Sequence, residues 1–250
     1  MPALAQQFAR ARKLIAVLRQ PEYRYALRHG VAASVEHETI PLRGDFGTVI
    51  DVGANRGQFA VFAARRFPVA ELICFEPLPG ARAQLRRAVG TIERLRVLEV
   101  AVGSSNQDAE FHVSAADDSS SLLPIGERQR DAFPGTGERT TMIVQVRRLD
   151  DELTATDLVR PALLKIDVQG GELGVLQGAK QLLQSIDAVL VEASFVELYA
   201  GQALVDEVWG ELRSAGFLCR GAWSMAYGAT GECLQGDLLF ARPGFEPFTP

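Results

Sequence analysis

The spacing of hydrophobic residues divides the chain into a helical N-terminal segment and a longer part in which short apolar runs alternate with amphipathic ones. In segment 3–29, apolar residues recur at helical spacing with arginines between them, and Pro21 interrupts the pattern. We therefore expect residues 1–44 to form a helical cap and residues 45–250 to form the main domain. A basic amphipathic helix lying on a membrane is the alternative interpretation of the first segment.

The alternating part of the chain predicts seven strands and the helices between them. The predicted strands cover residues 48–51, 72–75, 96–102, 163–167, 188–192, 217–220 and 237–241, and the predicted helices cover 58–66, 80–89, 172–183 and 204–215. Alternation of β-rich apolar runs with helices is typical of an α/β fold with a parallel sheet covered on both faces. The short connections near the end favour an antiparallel final hairpin.

One stretch, residues 104–147, breaks this alternation. Within it, segments 110–114 and 142–147 alternate apolar and polar residues, as half-buried strands do. Between them lies an acidic and serine-rich run, 117–121. We expect a two-stranded insertion that carries a mobile loop, which serves either as a lid over a site or as a plain surface excursion.

The turn after the first predicted strand carries candidate cofactor-binding residues. The strand delivers Asp51, and Gly53, Ala54, Asn55 and Gly57 follow before the next helix. Glycines at such a turn let the main chain approach a ligand closely. The alternative is that they only permit a tight corner between strand and helix.

The ends of the second and third predicted strands complete this candidate site. Glu76, followed by Pro77, closes the second strand, and its carboxylate can accept hydrogen bonds from two ribose hydroxyls. Ala101 and Val102 close the third strand, where they would lie near an adenine or would simply end the strand. Together with the glycine turn, these residues predict an adenosine-type cofactor.

Two features of the turn separate the candidate cofactors. The glycine spacing lacks the G-x-G-x-x-G pattern that binds a dinucleotide, and no P-loop pattern is present there. Asp51 would repel a pyrophosphate but would favour the ammonium or sulfonium group of S-adenosylmethionine. We therefore expect a methyltransferase that uses S-adenosylmethionine, with an NAD-dependent oxidoreductase or a non-catalytic binding protein of the same fold as alternatives.

Further carboxylates are predicted at the same edge of the sheet. Asp167 and Glu192 end the fourth and fifth strands, so they should converge with Asp51 and Glu76. Such a concentration of negative charge is costly without a cation, which could be the cofactor or a divalent metal. Asp167 is the candidate base or metal ligand and Glu192 its partner, whereas Glu172 is better explained as a helix cap.

Aromatic and basic side chains near this edge have weaker assignments. Phe195 and Tyr199, with Trp223 and Tyr227 further on, would form either a platform for the acceptor or an apolar cover over the sheet. Lys165, inside the fourth strand, is expected to pair with a neighbouring acid. We predict none of the three histidines at this edge.

Composition and charge narrow the choice of partners. Apolar residues make up 47% and charged residues 23% of the 250 residues, as in an ordinary soluble globule. The formal charge of −5 argues against a nucleic-acid partner. Three cysteines without a CxxC pair, no secretory signal and no apolar run long enough to span a membrane favour a cytoplasmic protein.

Taken together, the motifs resemble the FkbM-type methyltransferases, S-adenosylmethionine-dependent enzymes of the Rossmann-like superfamily. The resemblance is carried, in order, by VIDVGANRGQF, FEP, AVG, the SSSL loop, RRLDDEL, LLKIDVQGGELGVLQGA, VLVEASFVELY and GDLLFAR. It implies a Rossmann-like methyltransferase fold and O-methylation of a hydroxyl on a sugar, a glycolipid or a secondary metabolite. Methylation of nitrogen or of nucleic acid fits less well, because the chain is acidic and lacks an N/D-P-P-Y/F motif after the fourth strand.

The resemblance also implies roles for individual residues. The cofactor would be bound by Asp51, Gly53, Asn55, Gly57 and Glu76. Asp167 and Glu192 fall on positions expected to face the acceptor, and Ser119, Ser120 and Ser121 match a family loop over the site. The identity of the acceptor, the need for a metal and a homodimer through the N-terminal helices stay open at this stage.

Overall fold

The structure is a computed structural model that describes residues 17–90 and 94–249. Residues 3–16 of the predicted N-terminal helix lie outside the described residues. The helices include α1 (Pro21–Arg28), α2 (Gln58–Arg66), α3 (Pro79–Val89), α4 (Glu127–Ala132), α5 (Leu149–Glu152), α6 (Glu172–Gln177) and α7 (Val205–Ser214). None of these helices has both the length and the hydropathy needed to span a membrane.

The strands form one large sheet and one small sheet. They are β1 (Thr48–Val52), β2 (Glu71–Phe75), β3 (Leu95–Leu98), β4 (Ala101–Val102), β5 (Gln107–Ser114), β6 (Glu138–Arg147), β7 (Ala162–Ile166), β8 (Ala188–Ser194), β9 (Leu218–Tyr227) and β10 (Cys233–Ala241). The large sheet has seven strands in the order β3-β2-β1-β7-β8-β10-β9. Neighbours are parallel except where β10 pairs with β8 and β9. The predicted seven-stranded, mostly parallel sheet with an antiparallel last strand is confirmed.

Helices cover both faces of the large sheet because the central strands are apolar on both sides. On one face, Ile50 of β1 belongs to a core that includes Leu212 of α7. On the other face, Leu163 of β7 belongs to a core that includes Phe62 of α2. Tyr23 of α1 is buried in a third core together with residues of α2 and α3, so this part of the cap packs on the main domain.

The small sheet has three strands, where the sequence predicted an insertion of two. β5 and β6 pair antiparallel, and β4 (Ala101–Val102) pairs parallel with β6. The predicted third strand, 96–102, is therefore divided: Leu95–Leu98 stays in the large sheet, and Ala101 and Val102 leave it. A continuous apolar run does not reveal such a division, because the main-chain partners of its second half are Val146 and Arg147, far along the chain.

The serine loop of the insertion is tied to the strand beside it, whereas we expected a mobile loop. Ser121 exchanges two main-chain hydrogen bonds with His112, at 2.7 and 3.1 Å. The hydroxyl of Ser120 accepts a hydrogen bond from the main-chain N–H of Ser114 at 3.0 Å. Ser119, Ser120 and Ser121 are all buried, so this loop is a wall of the insertion.

Candidate active site

A cavity of about 690 Å³ runs along the carboxyl edge of the parallel strands. One part, here called the cofactor end, is lined by Ser34, Gly53, Ala54, Asn55, Gln58, Glu76, Pro77, Leu78, Ala101 and Val102. The other part, here called the acceptor end, is lined by His37, Lys165, Asp167, Glu192, Gln235 and Asp237. Ligands of open α/β sheets bind at this edge, so the cavity is the candidate active site.

Glycines shape the turn after β1 by letting the main chain pack closely. Gly53 and Gly57 have φ of +83° and +91°, a region that other residues rarely adopt. A Cβ atom at Gly53 would lie 1.9 Å from the carbonyl oxygen of Asp167, and one at Gly57 would lie 3.0 Å from Cγ of Leu85. Both glycines therefore make room for protein atoms. Gly53 also lines the cavity, so the predicted close approach of its main chain to the cofactor stays a prediction, whereas Gly57 does not line the cavity.

Glu76 anchors the cofactor end through main-chain hydrogen bonds. One carboxylate oxygen accepts from the N–H of Asn55 at 2.9 Å, and the other accepts from the N–H of Leu78 at 2.7 Å. Burial raises the pKa of Glu76 to about 7, although these two N–H donors lower it. Each oxygen keeps a second lone pair, so the carboxylate has capacity for the predicted ribose hydroxyls.

Three buried polar side chains at the cofactor end lack a hydrogen-bond partner among the described residues. The atoms are the hydroxyl of Ser34, the amide oxygen of Asn55 and the amide oxygen of Gln58. Buried oxygens rarely go without a partner, and the ammonium group of S-adenosylmethionine would offer three donors. Ala101 and Val102 add apolar surface that suits an adenine. The residues present therefore fit this cofactor.

Asp51 lies beneath the cavity and pairs with a lysine. It is 2% exposed, and one of its oxygens lies 3.1 Å from Nζ of Lys165, which also lies 3.5 Å from Asp167. Burial raises the pKa of Asp51, although Lys165 lowers it. Burial lowers the pKa of Lys165, but the charges of Asp51 and Asp167 outweigh burial and raise it. The predicted pairing of Lys165 is confirmed. Asp51 is not among the residues that line the cavity, and its predicted contact with the cofactor stays a prediction.

Strand register places the charged side chains of the acceptor end on one face of the large sheet. Asp51 is opposite Lys165 across β1 and β7, and Glu192 is opposite Asp237 across β8 and β10. Lys165 is also opposite Leu190, which precedes Glu192 by two residues. Because side chains alternate along a strand and paired residues share a face, all four charged residues lie on the same side. This face therefore changes from apolar to charged at the edge of the sheet.

A glutamine joins the two predicted catalytic carboxylates. Nε2 of Gln169 donates to Asp167 at 2.7 Å and to Glu192 at 2.9 Å. The second oxygen of Glu192 accepts from Gln235 at 2.9 Å. Burial and the charges of Asp167 and Asp237 raise the pKa of Glu192 well above its usual value. The structure thus brings Asp167 and Glu192 together, and the side chain of Asp167 is 34% exposed.

Two residues that were predicted near the acceptor, Tyr199 and Ser121, donate hydrogen bonds to Gln169. The hydroxyl of Tyr199 donates to the side-chain oxygen of Gln169 at 2.7 Å, and the hydroxyl of Ser121 donates to its carbonyl oxygen at 2.6 Å. Gln169 itself has a φ of +58°. Ser121 and Tyr199 do not line the cavity, whereas Ser119 and Ser120 do. The first two are therefore placed to position the loop and not to contact an acceptor.

The remaining aromatic residues that we predicted near the acceptor lie away from the cavity. Phe195 is 37% exposed and lines a separate groove with Trp209. Tyr227 is 63% exposed, and Trp223 packs against Phe248. The predicted aromatic platform is not formed by these residues, because Phe195 follows β8 into the separate groove, and Trp223 and Tyr227 lie on β9, the edge strand of the large sheet.

The turn after β7 is closed by a carboxylate. Glu172, the first residue of α6, accepts hydrogen bonds from the N–H groups of Val168 and Gly170 at 3.2 and 3.0 Å, as expected of a cap. Burial raises its pKa to about 7.

Within residues 17–90 and 94–249, no group of three or more histidine, cysteine, aspartate and glutamate side chains is arranged to hold a metal ion. We therefore assign no step to a metal.

A histidine and an aspartate that were not predicted complete the acceptor end. Nε2 of His37 lies 3.5 Å from a carboxylate oxygen of Asp237, and both side chains line the cavity. The 3₁₀ helix Val35–Thr39 packs the ring of His37 against Phe59 and Phe62 of α2. Our prediction that no histidine lies at this edge is wrong, because the segment before β1 folds back over α2. An aspartate beside the apolar run LLFA was the signal that could have identified Asp237.

A model of a known protein family matches the centre of the chain. It is described as the methyltransferase FkbM domain, and it matches residues 51–219. The chain belongs to the FkbM methyltransferase family. The match confirms the family that the sequence motifs resemble.

Three curated relatives illustrate the range of this family. The chain is 34% identical over 164 residues to 2-O-methyltransferase NoeI of Sinorhizobium fredii, covering 62% of this chain and 66% of NoeI. It is 30% identical over 214 residues to 31-O-demethyl-FK506 methyltransferase FkbM of Streptomyces tacrolimicus, covering 76% of each chain. It is 31% identical over 147 residues to hexuronic acid methyltransferase AglP of Haloferax volcanii, covering 57% and 54%. The chain therefore spans between about half and three quarters of the length of these relatives.

The FkbM match leaves out part of the acceptor end. Because it runs from residue 51 to residue 219, it includes Asp167 and Glu192. His37 precedes it, and Gln235 and Asp237 follow it. The cofactor end and the joined carboxylates thus lie in or beside the shared domain, whereas one side of the acceptor end comes from flanking segments.

Proposed function

We propose that the chain is an S-adenosylmethionine-dependent O-methyltransferase that acts on a hydroxyl of a sugar, a glycolipid or a secondary metabolite. The observation that carries this proposal is the pairing, in one cavity, of a cofactor end with unpartnered oxygens and an acceptor end with an open carboxylate. Family membership supports it, and two of the relatives named above are O-methyltransferases by name.

The residues of the cofactor end would hold the methyl donor. Glu76 would accept hydrogen bonds from the ribose hydroxyls, while the free oxygens of Asn55 and Gln58 would accept from the ammonium group. When bound, S-adenosylmethionine supplies an electrophilic methyl group. Holding the acceptor oxygen in line behind that methyl can contribute roughly 7–11 kcal/mol to lowering the barrier.

Asp167 would act as the general base at the acceptor end. The acceptor oxygen forms a bond to the methyl carbon as the bond from carbon to sulfur breaks, and the hydroxyl proton passes to the carboxylate of Asp167. Gln169 holds this carboxylate towards Glu192, and the cation of Lys165 lies 3.5 Å from it. General-base assistance of this kind is worth on the order of 10²–10⁴ in rate.

Calorimetry and a transfer assay test the proposal together. Purified protein is titrated with S-adenosylhomocysteine and, separately, with NADH. It is then incubated with methyl-labelled S-adenosylmethionine and a panel of glycosides and hydroxylated metabolites, with and without EDTA, and products are identified by mass spectrometry. We expect binding of S-adenosylhomocysteine but not NADH, and label on a hydroxyl oxygen. Binding of NADH alone would favour the oxidoreductase alternative, and cofactor binding without transfer to any acceptor would favour a binding protein.

A further inference from the structure

His37 and Asp237 face each other at the acceptor end. Nδ1 of His37 lies 3.3 Å from the carbonyl oxygen of Ser34, which can only accept, so this nitrogen carries a hydrogen. Nε2 of the same ring lies 3.5 Å from a carboxylate oxygen of Asp237, and both side chains line the cavity. The ring therefore lies between the main chain of Ser34 and the carboxylate of Asp237, where it limits the directions that this carboxylate can take.

Asp237 lies far from Glu76 along the sheet. Asp237 is on β10, and Glu76 follows β2; β10 is the fourth strand from β2 in the order of the sheet. At the usual strand spacing this separation is roughly 19 Å. Asp237 is therefore not placed to meet a ribose that binds at Glu76. It is paired with Glu192 on the neighbouring strand β8, and Asp167 follows β7, the next strand.

We propose that His37 and Asp237 bind a second hydroxyl of the acceptor, next to the hydroxyl that is methylated. This inference rests on the proposed function and adds the class of acceptor: a molecule with two neighbouring hydroxyls, as in a sugar ring. The carboxylate of Asp237 can accept a hydrogen bond from one hydroxyl, and the carboxylate of Asp167 can accept one from the neighbouring hydroxyl. Asp167 and Asp237 lie two strands apart, roughly 10 Å between main chains, a gap that converging side chains and a small ring can bridge.

His37 acts in this proposal through Asp237. The ring is 7% exposed, and both of its nitrogens face protein oxygens. Asp237 is the group that contacts the acceptor, and His37 is a positioning residue that holds its carboxylate. Because both residues lie outside residues 51–219, this half of acceptor recognition belongs to the flanking segments of the chain.

Imidazole nitrogen NMR on the full chain tests the pair without relying on turnover. The protein is saturated with S-adenosylhomocysteine and titrated with methyl gluco-, manno- and galactopyranosides, and with cyclohexanol as a probe that has one hydroxyl. His37→Gln assigns the His37 signals among those of the three histidines. We expect at least one glycoside to shift these signals saturably, cyclohexanol to leave them in place, and Asp237→Asn to abolish the shift. His112→Gln, a change outside the cavity, should preserve it.

Kinetics on a glycoside that is methylated gives a second readout. Asp237→Asn should raise KM for the glycoside on the order of tenfold, the expected cost of losing a charged hydrogen bond, with a smaller change in kcat. His37→Gln should act in the same direction, and the double variant should be no worse than Asp237→Asn alone, because the two residues form one unit.

The outcomes separate this inference from the proposed function. If S-adenosylhomocysteine binds but no glycoside moves the His37 signals, or if Asp237→Asn leaves KM unchanged, the acceptor role of the pair is wrong while methyl transfer stands. If S-adenosylhomocysteine does not bind, the proposed function is wrong, and the acceptor role of the pair, which rests on it, is wrong as well.

Discussion

The two ends of the cavity are built in different ways. At the cofactor end, Glu76 is fixed by the main-chain N–H groups of Asn55 and Leu78, and the turn itself forms the floor. At the acceptor end, the carboxylates are held by a side chain: Nε2 of Gln169 donates hydrogen bonds to both Asp167 and Glu192. A site built on main chain tolerates sequence change around it, whereas a site built on side chains changes with each substitution. The difference explains how one family can keep a donor and vary its acceptors.

The charge balance of the two ends differs as well. The cofactor end has one buried acid, Glu76, and neutral oxygens that can accept hydrogen bonds from a cationic group. The acceptor end has Asp167, Glu192 and Asp237; Lys165 pairs with Asp51 and Asp167, and His37 lies beside Asp237. The acceptor end thus offers several carboxylates to the hydroxyls of a ligand, whereas the cofactor end offers mainly neutral oxygens to a cationic group.

The strongest test of this comparison is Asp167→Asn, which should impair chemistry but spare the cofactor end. Asparagine cannot take the hydroxyl proton, so we expect kcat to fall on the order of 10²–10⁴. Affinity for S-adenosylhomocysteine, measured by calorimetry, should change little. Asp108→Asn, at an exposed position on β5, is the matched control. A variant that keeps its kcat would remove Asp167 from the role of base.

Lys165→Met asks whether the acceptor end is also a structural element. The change leaves Asp51 buried without its cation, which typically costs about 3–5 kcal/mol of unfolding free energy. Urea denaturation measures the loss, and Lys180→Met on the surface is the control. Combining Lys165→Met with Asp51→Asn should restore part of the stability. No recovery in the double variant would mean that the pair does not act as a unit.

Glu76→Ala tests the cofactor end alone. It removes the acceptor for ribose and leaves the N–H groups of Asn55 and Leu78 unpaired, so we expect a loss of about 1.5–3 kcal/mol in binding. Calorimetry with S-adenosylhomocysteine measures this loss, and circular dichroism checks the fold. The affinity of Glu76→Gln should lie between those of Glu76→Ala and the native protein. Glu110→Ala, a change at an exposed site, should bind S-adenosylhomocysteine as the native protein does. Equal affinity in all four proteins would contradict the assignment of Glu76.

The smallest expected effect is a pH dependence of cofactor binding. Burial raises the pKa of Glu76 to about 7, so its carboxylate gains a proton as pH falls through this value. Binding to ribose favours the ionised form, so affinity should rise with pH, by at most about tenfold per unit, and level off above about 7. Calorimetry between about pH 6 and 8, roughly one unit either side of that pKa, should show the slope in the native protein but not in Glu76→Gln.

Sequence reasoning predicted the cofactor end better than the acceptor end, for a physical reason. The strand–turn–helix pattern around Gly53 and the acid at Glu76 are local, so spacing alone identifies them. The fold followed from the same local alternation, except where Ala101 and Val102 leave the large sheet for a partner far along the chain. Even at Gly53 the local pattern indicated the residue but not its close packing against Asp167.

The acceptor end depends on how distant segments dock, which spacing does not reveal. His37 reaches the cavity because the helix Val35–Thr39 packs on Phe59, and no periodicity in residues 30–40 encodes that contact. Tyr199 was predicted to be near the acceptor, yet its hydroxyl donates to Gln169. The left-handed main-chain conformation of Gln169 places the glutamine side chain within reach of this hydroxyl. Sequence reasoning thus found residues of the correct type at the correct edge of the sheet but assigned them the wrong role.

The near contact between Gly53 and Asp167 has a mechanical consequence. The N–H of Asp167 donates to the carbonyl oxygen of Val52 at 3.0 Å, and a single methyl group on Gly53 would collide with the Asp167 carbonyl. The turn after β1 and the segment that carries Asp167 therefore pack against each other without a gap. Neither can move independently of the other, so a donor bound at the turn and the proposed base on Asp167 would keep a fixed spacing.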